Sequence, residues 1–379
     1  DAEEAVATIR HQYKLPSYYR PAKIISEALD VAFITHFVQL NHGIRPYNPE
    51  IPWITHLPRL RQTAVKPALR LSIRAASMAF YATVHHDPAI LVDSFRWYTM
   101  SLNCQRQSLD RLGVDVIPTE EEILVPIILS LYEVFAGTTT TSIWHHLSAA
   151  IRIIAMRGPQ NCRGVTFPMF KAMRVSDAHL SIVFNRPSVF ASPEWMTIPF
   201  QGQLRNAHML LVDILISIPE CIGMVSMYVG NMRSFFASPF PPGINLCPAE
   251  QRAPRFLTPG TSVLTLPESF VALSAATYEA IRLILCLLLD KISSEWSRSP
   301  TMSVKSPASA SPVSFGPSLS HMDTAIASSK AILDISAHME SKHPVGFDFM
   351  RSVFPLVVVV CIAPREEEER LGRKMLERW

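Results

Sequence analysis

Glycine is scarce in this sequence, and its scarcity argues against several common kinds of functional site. The chain has 13 glycines and 30 prolines among 379 residues. Phosphate-binding loops and tight hairpins need closely spaced glycines, whereas proline marks the ends and bends of helices. The sequence also contains no Walker, dinucleotide-binding or G-x-S-x-G pattern. Nucleotide-dependent, dinucleotide-dependent and serine-hydrolase functions therefore lack support.

Patterns that bind metals are missing as well. The six cysteines are widely separated, and no two of them form the C-x-x-C pair that zinc modules use. The histidines of His85–His86 and His145–His146 are adjacent, so their side chains point about 100° apart on a helix and cannot share a ligand face. We predict no metal and no cofactor. We expect reduced cysteines in a cytosolic or nuclear protein.

The sequence also lacks a strong charge of one sign and a long uninterrupted apolar run. The formal net charge is +3, too small to predict nucleic-acid binding by these residues alone. The best membrane candidate, 209–231, is interrupted by Asp213, Pro219 and Glu220, so we interpret it as a core helix of a soluble protein with no membrane partner. The chain starts without a methionine or an apolar signal core, and we expect it to begin inside a longer gene product.

What the sequence does contain is a succession of helical patterns. Apolar residues recur three or four positions apart from Leu69 to Val84, and longer apolar stretches fill 200–237 and 268–292. The run Val357–Val360 predicts a buried helix, because one isolated strand cannot satisfy its own backbone. We predict a single all-α domain over 1–379, either a multi-helix bundle or an α-solenoid-like array of antiparallel helical hairpins.

Two segments interrupt the helical pattern. Residues 238–268 are rich in proline, which predicts an irregular loop. Residues 293–320 are rich in serine and proline, which predicts a flexible, disordered insertion. Two interpretations of this insertion stay open: a plain surface insertion, or a regulatory segment whose serines are phosphorylated.

The stretch 118–159 contains the residues that most suggest a site. Thr119 and Glu122 have the spacing of a capping box, and Gly137 with the threonines after it predicts the end of that helix. A second helix follows and ends at the Arg-Gly-Pro of 157–159. Two helices joined by a short polar turn predict an antiparallel hairpin.

The segments 68–102 and 119–159 resemble the fungal-specific transcription factor domain, which is the all-helical middle region of zinc binuclear cluster regulators. An alanine-rich helix, a tyrosine-containing helix and a Leu-Tyr-Glu helix precede a W…HL…A helix that ends near Arg-Gly-Pro. The segments 192–200 and 354–376 are similar to later blocks of that family. The matching residues are Tyr98, Leu131, Tyr132, Glu133, Trp144, His146, Leu147, Ala150, Arg157, Gly158 and Pro159.

This resemblance implies the regulatory and effector domain of a fungal transcription regulator, pathway-specific for secondary metabolism and located in the nucleus, or in the nucleus and cytoplasm. Its expected partners are a small-molecule effector and transcriptional partner proteins, and a homodimer is one assembly that we consider. The six-cysteine zinc cluster of such regulators has no counterpart in this sequence. DNA is therefore expected to be bound only through a module outside this chain.

Glu133 is the sharpest candidate for chemistry. It lies on an otherwise apolar helix, and a carboxylate among apolar side chains can act as a general acid or base. The alternative is an ion pair with a basic residue such as Arg152 or Arg157, since buried charges are usually paired. The aromatic candidates have their own alternative, because large aromatic side chains most often fill cores. The candidate ligand-binding side chains are Tyr98, Tyr132, Glu133, Trp144 and His146.

An enzyme is the alternative function. A copy of such a domain without its zinc cluster could use an apolar helical cavity to isomerise or cyclise an apolar natural product, with Glu133 as the one candidate catalytic residue. A third interpretation is a protein-interaction scaffold without a ligand. We favour packing over chemistry for 118–159, and therefore a regulator over an enzyme.

Overall fold

The computed structural model confirms the prediction of an all-α fold. Of the residues that it describes, 84% are helical and none lies in a strand. The described ranges are 31–35, 57–113, 116–139, 141–203, 205–229, 266–298, 320–342 and 349–378.

Twelve α-helices follow the helical residues 31–35 within the described ranges. They are α1 (Leu57–Thr63), α2 (Pro67–His85), α3 (Pro88–Asp110), α4 (Glu120–Ala136), α5 (Ser142–Arg157), α6 (Thr166–Val183), α7 (Pro193–Thr197), α8 (Ala207–Val229), α9 (Leu266–Arg298), α10 (His321–Lys342), α11 (Phe349–Ile362) and α12 (Glu366–Arg378). Two 3₁₀ turns, Pro159–Asn161 and Ile198–Phe200, follow α5 and α7.

Local signals fix the ends of several helices. The capping box of α4 is confirmed: the N–H of Thr119 donates to Oε2 of Glu122 at 2.7 Å. Gly137 ends the same helix with φ 57°, a left-handed conformation that glycine adopts without steric cost. Asp87 caps α3, because its Oδ1 accepts two N–H groups of the first turn at 3.0 and 3.1 Å.

The first five long helices pack in the order of the chain. Helix α2 lies against both α3 and α4, α4 against α5, and α5 against α6. Ala75, Ala76 and Ala79 are buried on α2, and their small side chains allow its neighbours to approach closely. The Ser101 hydroxyl of α3 donates to the Ala68 carbonyl of α2 at 2.8 Å. This part of the fold is the predicted succession of helical hairpins.

The second half continues the same arrangement. Helix α8 contacts α6 and α9, helix α9 contacts α10 and α11, and α11 contacts α12. The His179 ring of α6 stacks on the Phe354 ring of α11 with centroids 4.0 Å apart, which ties the two halves together. Val357–Val360 are buried within α11, as predicted. One cluster of buried apolar side chains runs from Ile34 to Leu376.

Helix α9 differs from the sequence expectation at both of its ends. It includes 266–268, which were predicted as loop, and 293–298, which were predicted as insertion. Pro267 is the second residue of the helix, a position that has no intrahelical N–H bond to lose, so this proline starts a helix instead of breaking one. Apart from the coil residue Ser320, the rest of the two predicted segments lies outside the described residues.

Two helical segments are long and apolar enough to cross a membrane by length and composition. They are Ala207–Met227 and Val271–Ser294, and 44% and 50% of their apolar windows are buried inside the fold. The sequence analysis considered only the first. Asp213, in the middle of that segment, is ion-paired with Arg174 and Arg205, so a charged contact fastens α8 to its neighbours.

Candidate functional site

Four of the five candidate ligand-binding residues meet at the junction of α3, α4 and α5. The rings of Tyr98 and Tyr132 stack with centroids 4.4 Å apart. The Tyr98 hydroxyl lies 2.9 Å from Nε2 of His146, and either atom can be the donor, depending on the imidazole tautomer. The same nitrogen lies 3.9 Å from Oε1 of Glu133. These four residues are called the Tyr–His–Glu cluster below.

The end of α4 positions the Glu133 carboxylate. Gly137 turns the chain back, and its N–H donates to the Glu133 carbonyl at 2.9 Å. Oε2 of Glu133 then accepts the N–H of Thr138 at 3.0 Å and its hydroxyl at 2.6 Å. A negative charge at a helix C-terminus opposes the helix dipole, and these bonds offset that cost. Glu133 therefore fastens the turn between α4 and α5.

The cluster is closed to solvent. The exposed fractions are 7% for Tyr98, 0% for Tyr132, 1% for Glu133 and 8% for His146. Burial, and then the nearby charge of Glu133, raise the pKa of Tyr98, while burial raises the pKa of Tyr132. Both hydroxyls consequently stay protonated and available as hydrogen-bond donors. A general acid or base must come within hydrogen-bond reach of its substrate, and this burial favours a packing role.

The arginines that the sequence analysis paired with Glu133 lie elsewhere. Arg157 donates to Oε1 of Glu120 at 2.6 Å, and Arg152 is exposed. The antiparallel hairpin explains the difference, because the end of α4 meets the start of α5 and the end of α5 meets the start of α4. Glu133 therefore faces His146, and Arg157 faces Glu120. The prediction of an Arg152 or Arg157 partner for Glu133 was wrong.

Trp144 does not join the Tyr–His–Glu cluster. Its ring packs edge-on against Phe184, with centroids 6.4 Å apart. Residues two apart on a helix point about 200° apart, so Trp144 and His146 lie on opposite sides of α5. The structure thus corrects the grouping of Trp144 with the other candidates.

A cleft that the sequence analysis missed lies between α8 and the connection that follows α6. Its volume is about 830 Å³, within the range of small-molecule sites. Apolar and polar side chains share its walls, so it can bury an apolar ligand and also orient polar groups. The lining residues are Asn185, Arg186, Pro187, Ser188, Ala191, Ile216, Pro219, Glu220, Gly223, Ser226 and Met227.

Asp177, a buried residue of α6, holds this connection in place. Its Oδ1 accepts from Arg186 at 2.8 Å, and its Oδ2 accepts the Ser188 hydroxyl at 2.6 Å and the Val189 N–H at 2.8 Å. One wall of the cleft is therefore fixed by a saturated carboxylate. The sequence signals here, an Asn and a Pro near each other, predict a turn but do not reveal which helix packs beside it.

Among the residues that the structure describes, no group of three or more His, Cys, Asp and Glu side chains is arranged to hold a metal ion. In comparisons with known proteins, no family model matches the chain, no curated protein matches it, and no solved structure matches its fold. The resemblance to the fungal-specific transcription factor domain remains a prediction from the sequence.

Proposed function

We propose that this chain is the regulatory domain of a fungal transcription regulator and that the cleft beside α8 binds its small-molecule effector. The cleft is the observation that supports ligand binding, and the resemblance over α2 to α5 supports the regulatory role. In this proposal the regulator acts in the nucleus on genes of secondary metabolism. Partner proteins bind the helical body, and DNA is contacted by a module outside this chain.

The lining of the cleft suits binding better than catalysis. The Ser188 hydroxyl donates to Asp177 and accepts the Phe190 N–H at 3.1 Å, so it is already fully engaged and has no histidine base beside it in the cleft lining. Arg186 is paired with Asp177 and keeps part of its guanidinium exposed, where it can orient an acceptor on a ligand. These groups can select a ligand without transforming it.

The alternative function, an isomerase or cyclase, receives less support from the geometry. Its one candidate catalytic residue, Glu133, is 1% exposed, and Thr138 occupies one of its carboxylate oxygens with two hydrogen bonds. A substrate would have to displace the packed rings of Tyr98 and Tyr132 to reach the other oxygen.

A substitution that fills the cleft tests the proposal. A Cβ built on Gly223 meets nothing within 4 Å, so Gly223→Leu projects into the cleft without a clash and improves helix propensity. Ser217→Leu is the matched control, because it adds the same side chain to an exposed position of α8 that does not line the cleft. The probe is anilinonaphthalene sulfonate, which combines apolar rings with one anionic group.

We expect the dye to bind the wild-type chain and Ser217→Leu with the same affinity, measured by fluorescence titration. Gly223→Leu should weaken that binding by roughly tenfold or more, since loss of a buried ring contact costs about 1.4 kcal/mol or more. Equal affinities for all three proteins would overturn the assignment of the effector site to this cleft.

A further inference from the structure

A second, smaller cavity lies at the other end of α8, where a buried arginine lacks a full set of acceptors. Arg174 of α6 is 2% exposed. Its Nη2 donates to Oδ1 of Asp213 and lies 2.9 Å from the sulfur of Met196. Its Nε–H has no hydrogen-bond acceptor among the described residues. A buried guanidinium normally has every N–H satisfied, so this group points to a missing acceptor.

The charge around Arg174 is unbalanced in the same direction. Arg205 donates to the second oxygen of Asp213 at 2.5 Å, so two guanidinium groups share one carboxylate. Both cations also lie over the Phe200 ring, with Cζ atoms 5.1 Å and 4.2 Å from its centroid for Arg174 and Arg205. Burial lowers the pKa of Arg174 while Asp213 raises it, which marks a cation whose desolvation is only partly compensated.

The cavity beside this pair has room for about one small particle. Its volume is about 10 Å³, the space that one water-sized sphere needs. Lys171 and His208 contribute to its walls together with Arg174, while the remaining walls are apolar. A carboxylate side chain does not line it, so the wall presents basic and apolar groups and no acidic one.

From this arrangement we propose that the cavity binds one small monovalent anion, a halide or a single oxygen of a carboxylate, against Arg174 and Lys171. The anion supplies the acceptor that Nε of Arg174 lacks and balances the second guanidinium on Asp213. A neutral water molecule supplies the acceptor but leaves the charge unbalanced. The site is distinct from the cleft, whose lining shares no residue with it.

Chloride-35 NMR on the purified full chain tests this site, because a bound chloride that exchanges with the solvent broadens the bulk signal. The variants are Arg174→Met and Lys171→Met, and the second removes a partly exposed charge if the first does not fold. Arg152→Met is the matched control, since Arg152 is exposed and does not line the cavity.

We expect saturable broadening with the wild-type chain and with Arg152→Met. Lys171→Met should weaken the apparent chloride affinity by roughly tenfold, and Arg174→Met should abolish the broadening, because hydrogen bonds to charged groups contribute about 1.5–3 kcal/mol each. Added acetate distinguishes the two ions: displacement of chloride identifies a site that accepts carboxylates, and persistence identifies one for halide. Equal broadening in all four proteins, or none in the wild type, would show that the cavity holds water only.

Discussion

Removal of one hydroxyl from the Tyr–His–Glu cluster gives the sharpest stability prediction. Tyr98→Phe keeps the ring stacked on Tyr132 and deletes only the oxygen that lies 2.9 Å from Nε2 of His146. His146 is almost fully buried, so its nitrogen loses a partner that water cannot replace. A buried polar group left unsatisfied costs about 1–3 kcal/mol, and we expect the free energy of unfolding to fall by that amount.

The assay is denaturant unfolding, followed by circular dichroism, of wild type and variant under identical conditions. The matched control is Tyr278→Phe, which removes the same hydroxyl from a side chain that is 50% exposed on α9. We expect that control to change the stability by no more than about 0.5 kcal/mol. If Tyr98→Phe is no more destabilising than the control, the reasoning that assigns the cluster to the packed core is refuted.

Three other predictions concern helix ends and can be measured by the same unfolding assay. Asp87→Ala removes the cap of α3 and should cost about 1 kcal/mol, whereas Asp87→Asn should cost much less. Gly137→Ala forces a side chain into a left-handed turn and should cost about 1–2 kcal/mol. Burial raises the pKa of Glu122, but bonds from Lys66 and Thr119 outweigh it and lower the pKa; the stability gained is therefore present above about pH 4.3 and lost as the pH falls below it, and Glu122→Gln should remove that acid dependence.

Local patterns predicted the helices well because their signals are local. The capping box of α4 and the glycine that ends it involve residues only three or four apart, so the sequence alone specified both. The buried run Val357–Val360 was correctly assigned to a helix. The start of α9 was missed because a proline in the first turn of a helix has the same local appearance as a proline in a loop.

The candidate site depended on contacts between helices, which local patterns do not specify. The pairing of Tyr98 with His146 joins residues 48 positions apart and requires the packing of α3 against the α4–α5 hairpin. Two corrections were nevertheless within reach of the sequence. The antiparallel hairpin already places Arg157 far from Glu133, and the spacing of two already places Trp144 opposite His146. The cleft was out of reach, since its walls come from a loop and a distant helix.

The most direct test of the proposed function is a transcription reporter in fungal cells. The chain is fused to a zinc-cluster DNA-binding module of known target site, and the output is compared with that of the module alone. We predict that the fusion changes reporter output, that Ser217→Leu leaves this effect unchanged, and that Gly223→Leu alters it. An output equal to that of the module alone, with the fusions present at normal levels, would contradict a regulatory role for this chain.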